Sequence, residues 1–213
     1  MTLKLVVFDL DGTLVDSVDT HAEGWSFAIE YLGVARVDKS RLISLIGLPG
    51  DSIVRATVGE EGLKYYDRIR RLKDRHFLNQ LASGRVSLFP DTLPCLKHLK
   101  KRNYVLGLAS SSPNRVLLPL LEQLELLDYF NYIVSGDEVV RGKPDPEIFI
   151  RVARKAGVEN RETIVVGDTE YDTAPARSAG MKSVLVARGR TVRVSNLNAD
   201  VVVTTLADLT VIL

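Results

Sequence analysis

The 213-residue sequence predicts an α/β protein, a parallel sheet flanked by helices with an all-helical unit inserted near its start. Three observations lead there. Six short runs have strand length and the continuous apolar character of strands buried on both faces. From Tyr104 onward these runs alternate with helix-length segments, the pattern of crossover connections in a parallel sheet. Between Ser17 and about Ser83 the alternation stops: apolar residues recur at helical spacing, charges fill the other positions, and no strand stands out.

In chain order, the first strand is LKLVVF, Leu3 to Phe8, and it ends on Asp9, Asp11, Gly12 and Thr13. The helical insertion follows. Its opening stretch, DSVDTHAEGWSFAIEYLG, puts His21, Trp25, Ala28 and Leu32 on one helical stripe, with Asp16 or Ser17 as N-cap and Gly33 as the stop. The chain returns to the core near LFPD, Leu88 to Asp91, where Pro90 and Pro94 precede a helix around Leu96 to Lys101. The remaining strands are Tyr104 to Ala109, Tyr132 to Val134, Thr163 to Gly167, Ser183 to Ala187 and Asp200 to Val203. The expected division is a core of residues 1–16 and 84–213 and a helical domain of residues 17–83, without internal repeats.

Composition narrows the function classes. Lys and Arg total 28 against 27 for Asp and Glu, so no long-range field attracts nucleic acid or an anionic membrane, and any anion must be caught locally. No apolar run approaches the roughly 18 residues needed to span a bilayer, and Met1 to Lys4 carries no basic segment ahead of a signal-type stretch. The lone Cys95 cannot form an internal disulfide and reads as a buried structural thiol. These features point to a soluble cytoplasmic protein with no nucleic-acid partner and no membrane.

Chemistry enters at the strand ends. Side chains alternate along a strand, so Asp9 and Asp11 converge and Leu10 points away wherever the extended geometry persists. Close carboxylates raise one another's pKa unless a cation lies between them, which implies a divalent metal or a shared proton. An Asp-Gly turn without chemistry is the plainer alternative for these residues alone. Three further stretches each follow a strand. LASSSPN puts Ser110 at a strand end, with Ser112 able to cap and Pro113 able to start the next helix, whose N-terminus can hold phosphate. RGKPDPEIF offers Lys143 as a single cation. VVGDTEYD ends a strand at Asp168 and adds Asp172; either alone reads as a helix cap.

In this order, DLDGTL, the strand-end serine, GKPDP and GDTEYD resemble the four motifs of the haloacid dehalogenase superfamily, with a texture similar to its phosphoglycolate phosphatase and β-phosphoglucomutase branch. The resemblance implies a Rossmann-like core with a helical cap inserted after the first motif. It makes Asp9 the nucleophile that accepts the phosphoryl group, and Asp11 the acid that protonates the leaving oxygen and then activates water. It assigns Mg2+ to Asp9, the backbone oxygen of Asp11, and Asp168, with Asp172 a water-mediated ligand or a support for Lys143. Ser110 and Lys143 would bind phosphoryl oxygens. Oxygen ligands suit magnesium, and no His or Cys cluster favours zinc.

The insertion offers further candidates. His21 is either an ordinary partly buried histidine or an active-site group, and the mutase branch resembles the sequence here. Trp25 reads as cap core. In LIGLPGDSI, the bend at Gly47, Pro49 and Gly50 can bring Leu48 and Pro49 over the core site as substrate contacts, and no arginine follows Gly47 to hold a second phosphate. The basic run of Arg68, Arg70, Arg71, Lys73 and Arg75 reads as a solvated helix face. The expected function is a Mg2+-dependent phosphatase of small phosphorylated metabolites, with 2-phosphoglycolate a candidate. A sugar-phosphate mutase is the alternative, and a non-catalytic binding module the third class.

Overall fold

The structure, a computed structural model, describes residues 3–188 and 199–213. The chain runs β1 (Leu5–Phe8), β2 (Val15–Asp16), α1 (Val18–Tyr31), α2 (Lys39–Leu45), α3 (Gly50–Val58), α4 (Tyr66–Ala82), β3 (Ser87–Leu88) and α5 (Thr92–Lys101). It continues through β4 (Val105–Ala109), α6 (Asn114–Gln123), β5 (Tyr132–Val134), α7 (Glu147–Ala156), β6 (Thr163–Gly167), α8 (Glu170–Ser178), β7 (Lys182–Val186), β8 (Val201–Val203) and α9 (Leu206–Ile212).

Six strands form one parallel sheet in the order β5-β4-β1-β6-β7-β8. β1 is central, and the order reverses there: the chain moves outward through β4 and β5 on one side and through β6, β7 and β8 on the other. The crevice at the carboxyl ends of β1, β4 and β6 is therefore the topological switch point, where open α/β sheets bind ligands. Phe8, the last residue of β1, pairs with Leu108 on one side and Val166 on the other, so Asp9 emerges between two buried neighbours.

Alternation along β1 builds both core layers. Val6 and Phe8 join Leu106, Leu108, Val166, Val184 and Leu96 on one face, whereas Leu5 and Val7 join Phe149, Val152 and Val165 on the other. Each residue of β1 is fully buried, which explains the unbroken apolar reading of this strand. The four helices between β2 and β3 have an apolar cluster of their own around Trp25, Ile29, Leu42, Ile53, Val54 and Ile69. Helix α4 is shared, because its last turns place Phe77 and Leu81 in the sheet's core.

Two local features differ from the sequence reading. Helix α5 starts at Thr92, not Leu96, since Pro94 falls in the first turn where a missing N–H breaks no helical bond. The two chain crossings at 15–16 and 87–88 pair as a short antiparallel ribbon, Val15 with Leu88 and Asp16 with Ser87, too brief to leave a period in the sequence.

Cys95 is on the buried face of α5, and burial, helped by Asp91 and opposed by Arg188, pushes its thiol up to about 12. A folded-state pKa above the unfolded one favours the protonated thiol. This stabilisation is complete below the unfolded value and is lost as pH rises toward about 12. The fall in urea-denaturation stability between about pH 8 and about pH 10.5 should therefore be shallower in Cys95→Ala than in the parent. Equal slopes would show that the thiol's burial does not couple to folding.

Candidate active site

The loop after β1 is wound tightly. Leu14 and Val15 both donate their N–H to the Leu10 carbonyl, at 2.9 and 3.0 Å, and Gly12 donates to the Val15 carbonyl at 2.8 Å. Gly12 sits at φ 91°, and a Cβ there would run into the Asp168 carboxylate, so the turn that sets the aspartates requires glycine. Leu10 points into the core, fully buried.

Asp9 and Asp11 both face one cavity of about 470 Å³, but their carboxylates take different partners. Asp9 receives the Lys143 ammonium at 2.5 Å and lies in a trio with Asp168 and Asp172, in which one carboxylate oxygen from each lies within 4.8 Å of the others. Asp11 turns toward the first helix after the ribbon. It accepts the Ser17 hydroxyl at 2.6 Å and lies 2.9 Å from Nε2 of His21, whose ring stacks on Phe77.

Lys143 is fully buried and joins two members of the trio. Its ammonium also donates to Asp172 at 2.7 Å and to the Ala109 carbonyl at 3.2 Å. Burial works to lower its pKa, but Asp172 and Asp9 outweigh that and raise it, so it stays charged. Asp172 is also fixed from behind, by the Thr169 N–H at 3.2 Å and hydroxyl at 2.8 Å, in a capping box that starts α8. Thr13 donates to Asp168 at 3.2 Å. Burial pushes the Asp9 carboxyl well up; Lys143 opposes this, and Asp172, Asp168 and Asp11 add to it. In the second pair, burial would raise Asp11, but His21, the Ser17 hydroxyl and Lys73 outweigh it and hold Asp11 at about 2. His21 is pushed down by burial and by Lys73, against the pull of Asp11. The resting pair is thus a carboxylate receiving the Nε2–H of a neutral imidazole.

The trio suits a hard divalent cation. It offers only carboxylate oxygens, and its span fits one ion, since ligands on opposite sides of magnesium stand about 4.2 Å apart. The repulsion that raises Asp9 is what a bound cation would relieve.

Other residues fall differently from their reading. Ser110 is fully buried and its Oγ accepts the Ser112 N–H at 3.1 Å, while Ser111 and Ser112 line the cavity. Ser112 caps nothing: α6 is preceded by Pro113, and the Ser112 hydroxyl reaches Asp11 at 3.4 Å. Leu48 and Pro49 line the cavity opposite the sheet, beside a bond from the Ser111 hydroxyl to the Gly47 carbonyl at 2.7 Å. The reading of the basic run as wholly solvated is corrected. Lys73 is buried, 4 % exposed, and lines the cavity with Arg70, Tyr66 and Asp74 on the same helix. Their spacing, with Phe77 and Leu81 continuing it, is one helical stripe that the number of charges masks.

This fold and site define a haloacid dehalogenase-like hydrolase: the model of that family matches residues 6–186, and the chain belongs to it. It is an enzyme of the phosphatase class, with curated relatives that are phosphoglycolate phosphatases. That of Chromobacterium violaceum is 31% identical over 212 residues, 97% of this chain and 95% of the relative. A hydrolase structure from Pseudomonas syringae is 26% identical with a TM-score of 0.86, covering 97% of this chain and 95% of that one. The β-phosphoglucomutase of Clostridium difficile, 23% identical with a TM-score of 0.84 over 98% of this chain and 93% of that one, shares the fold. No helix among the described residues is long and apolar enough to cross a membrane.

Replacing Lys143 with methionine leaves Asp9 and Asp172 buried without their ammonium. The expected cost is about 3–5 kcal/mol, the scale for removing one partner of a buried pair. Urea denaturation in excess chelator measures it; a loss below about 1 kcal/mol would mean that the carboxylates neutralise themselves.

Proposed function

We propose that this enzyme hydrolyses small phosphate monoesters with Mg2+ through an aspartyl-phosphate on Asp9, with 2-phosphoglycolate a fitting substrate. The observation that carries the reading is the separation of the two aspartates, Asp9 on Lys143 among acids and Asp11 on His21. Asp9 attacks phosphorus while the ester oxygen leaves. Asp11 faces the same cavity, positioned by His21; entering the step protonated, it gives its proton to that oxygen and is left as the carboxylate. Water then attacks phosphorus, Asp11 accepts its proton, and the bond to Asp9 breaks. The Lys143 ammonium and the cavity-lining segment Ser111 to Ser112 hold the transferring oxygens, and Ser110 acts by shaping that loop. Asp9, Asp168 and the Asp11 backbone oxygen would hold the cation, with Asp172 supporting Lys143. When bound, the cation supplies charge neutralisation of the phosphoryl group.

Residues 17–83 act in this reading as a cap on a core of residues 1–16 and 84–213. Leu48 and Pro49 close over the organic part of the substrate, and Lys73 and Arg70 meet an anionic group at its far end. Burial lowers the Lys73 pKa, with Asp74 and Asp11 opposing. The glycolate carboxylate suits these cations. They also favour the second reading, a mutase holding a second phosphate, because the cations absent from the loop after Gly47 are supplied by α4. A soluble enzyme of the cytoplasm working on free metabolites accords with the near-neutral charge.

Excess chelator should abolish turnover and Mg2+ restore it, and Asp9→Asn should be inactive while folded. Acid-quenched mass spectrometry should find phosphate on the peptide containing Asp9; a label on Ser110 would overturn the mechanism.

Phosphorus NMR separates the two readings. Inorganic phosphate should appear from 2-phosphoglycolate faster than glucose 6-phosphate forms from β-glucose 1-phosphate with a bisphosphate primer. The reverse order would make the enzyme a mutase with the same nucleophile.

A further inference from the structure

Asp74 follows Lys73 on α4, and the two sit with only 7% and 6% of their side chains exposed. Asp74 nevertheless takes its strongest partner from a different element, the core helix α6. Arg115, the second residue of α6, donates Nε to Asp74 Oδ2 at 2.7 Å and Nη2 to the same oxygen at 2.5 Å. Lys73 is left 3.5 Å from Asp74 Oδ1, beyond the range of a good hydrogen bond, with its ammonium 5.5 Å from the Trp25 and Phe77 ring centroids. One carboxylate thus has two candidate cations, one on its own helix and one on the core.

We propose that Arg115 is a positioning residue that exchanges partners with Lys73. When the cap is shut, Arg115 takes Asp74 and releases the Lys73 ammonium to meet the substrate's far anionic group. When the cap lifts, Arg115 is withdrawn and Asp74 falls back on Lys73, the only other cation the structure places within ion-pair range of it among the described residues. The recognition charge exists only in the closed state, so substrate capture and closure favour each other, as any linked pair of equilibria must. The inference rests on Lys73 serving a substrate anion, as read above.

The coupling enters the core near the phosphoryl site. Arg115 stands three residues after Ser112, whose hydroxyl reaches Asp11, and Ser111 of the same loop holds the Gly47 carbonyl of the cap loop. A cap seated on the phosphate loop through Ser111 therefore brings Asp74 to Arg115 in the same movement.

Two esters test this, 2-phosphoglycolate with a far anion and p-nitrophenyl phosphate without one, at saturating Mg2+. The parent should prefer 2-phosphoglycolate in kcat/KM; no preference would overturn the Lys73 reading and this inference with it. Given that preference, Arg115→Gln should raise KM for 2-phosphoglycolate about tenfold, with kcat and the values for p-nitrophenyl phosphate changing less than about twofold. Asp74→Asn should instead lower KM for 2-phosphoglycolate, because Lys73 loses its competitor, and adding Arg115→Gln to it should have no further effect. Arg115→Lys, with one donor in place of a fork, should fall between. A simple strut predicts otherwise: Arg115→Gln and Asp74→Asn would lose alike on both esters. That pattern, or an unchanged KM in Arg115→Gln, would overturn the partner exchange and leave the reading of Lys73 standing.

Discussion

The buried ammonium of Lys143 is the constraint on which the site depends. Without it, Asp9 and Asp172 would face one another in a dry pocket at the end of β1 and β6, and burial would force a proton onto one of them. With it, three segments distant in sequence are drawn to one point: the loop after β1, the loop before α7 and the first turn of α8. The parallel sheet supplies the convergence, because β1 lies between β4 and β6 and all three end at the same edge. Fold and chemistry meet at one switch point.

Around that point the two carboxylates of DLDG separate into different electrical settings. Asp9 is raised by burial and its acidic neighbours, whereas Asp11 is lowered by His21, Ser17 and Lys73 against its own burial. The partners that lower Asp11 all belong to the helical insertion or its entrance. The insertion therefore contributes to the state of a core residue, beyond covering it.

Much of this was legible in the sequence. Asp9, Lys143, Asp168 and Asp172 each follow a strand or sit in a Pro- and Gly-marked loop, and short apolar runs fixed where the strands end. The parallel sheet was legible for the same reason. What escaped was decided by direction rather than by residue type. Lys73, Asp74 and Arg70 look like any charged helix surface, and only the helix's rotation turns them inward. Ser110 and Ser112 looked alike beside a helix start; the backbone turned one hydroxyl inward to Ser112's own N–H and left the other facing Asp11. The β2–β3 ribbon, two residues on each side, carries too little pattern for any period to register.

Helix α4 belongs to both apolar clusters, with Ile69 in that of the insertion and Phe77 and Leu81 in that of the sheet. A continuous helix does not bend without a proline, a glycine or an inserted group, and α4 has neither residue in its length. A rigid tilt of this helix would pivot near Phe77, where it is anchored in the sheet's core. Tyr66 lies about 16 Å from that point along the helix axis, at 1.5 Å per residue. A tilt of about 10° would carry the Tyr66 end through about 3 Å while barely moving Phe77, on which His21 stacks. Tyr66 at the lip of the cavity would thus travel farthest, Lys73 and Asp74 would shift by about 1 Å, the scale that separates a hydrogen bond from a looser ion pair, and the imidazole beside Asp11 would rest close to the stationary end.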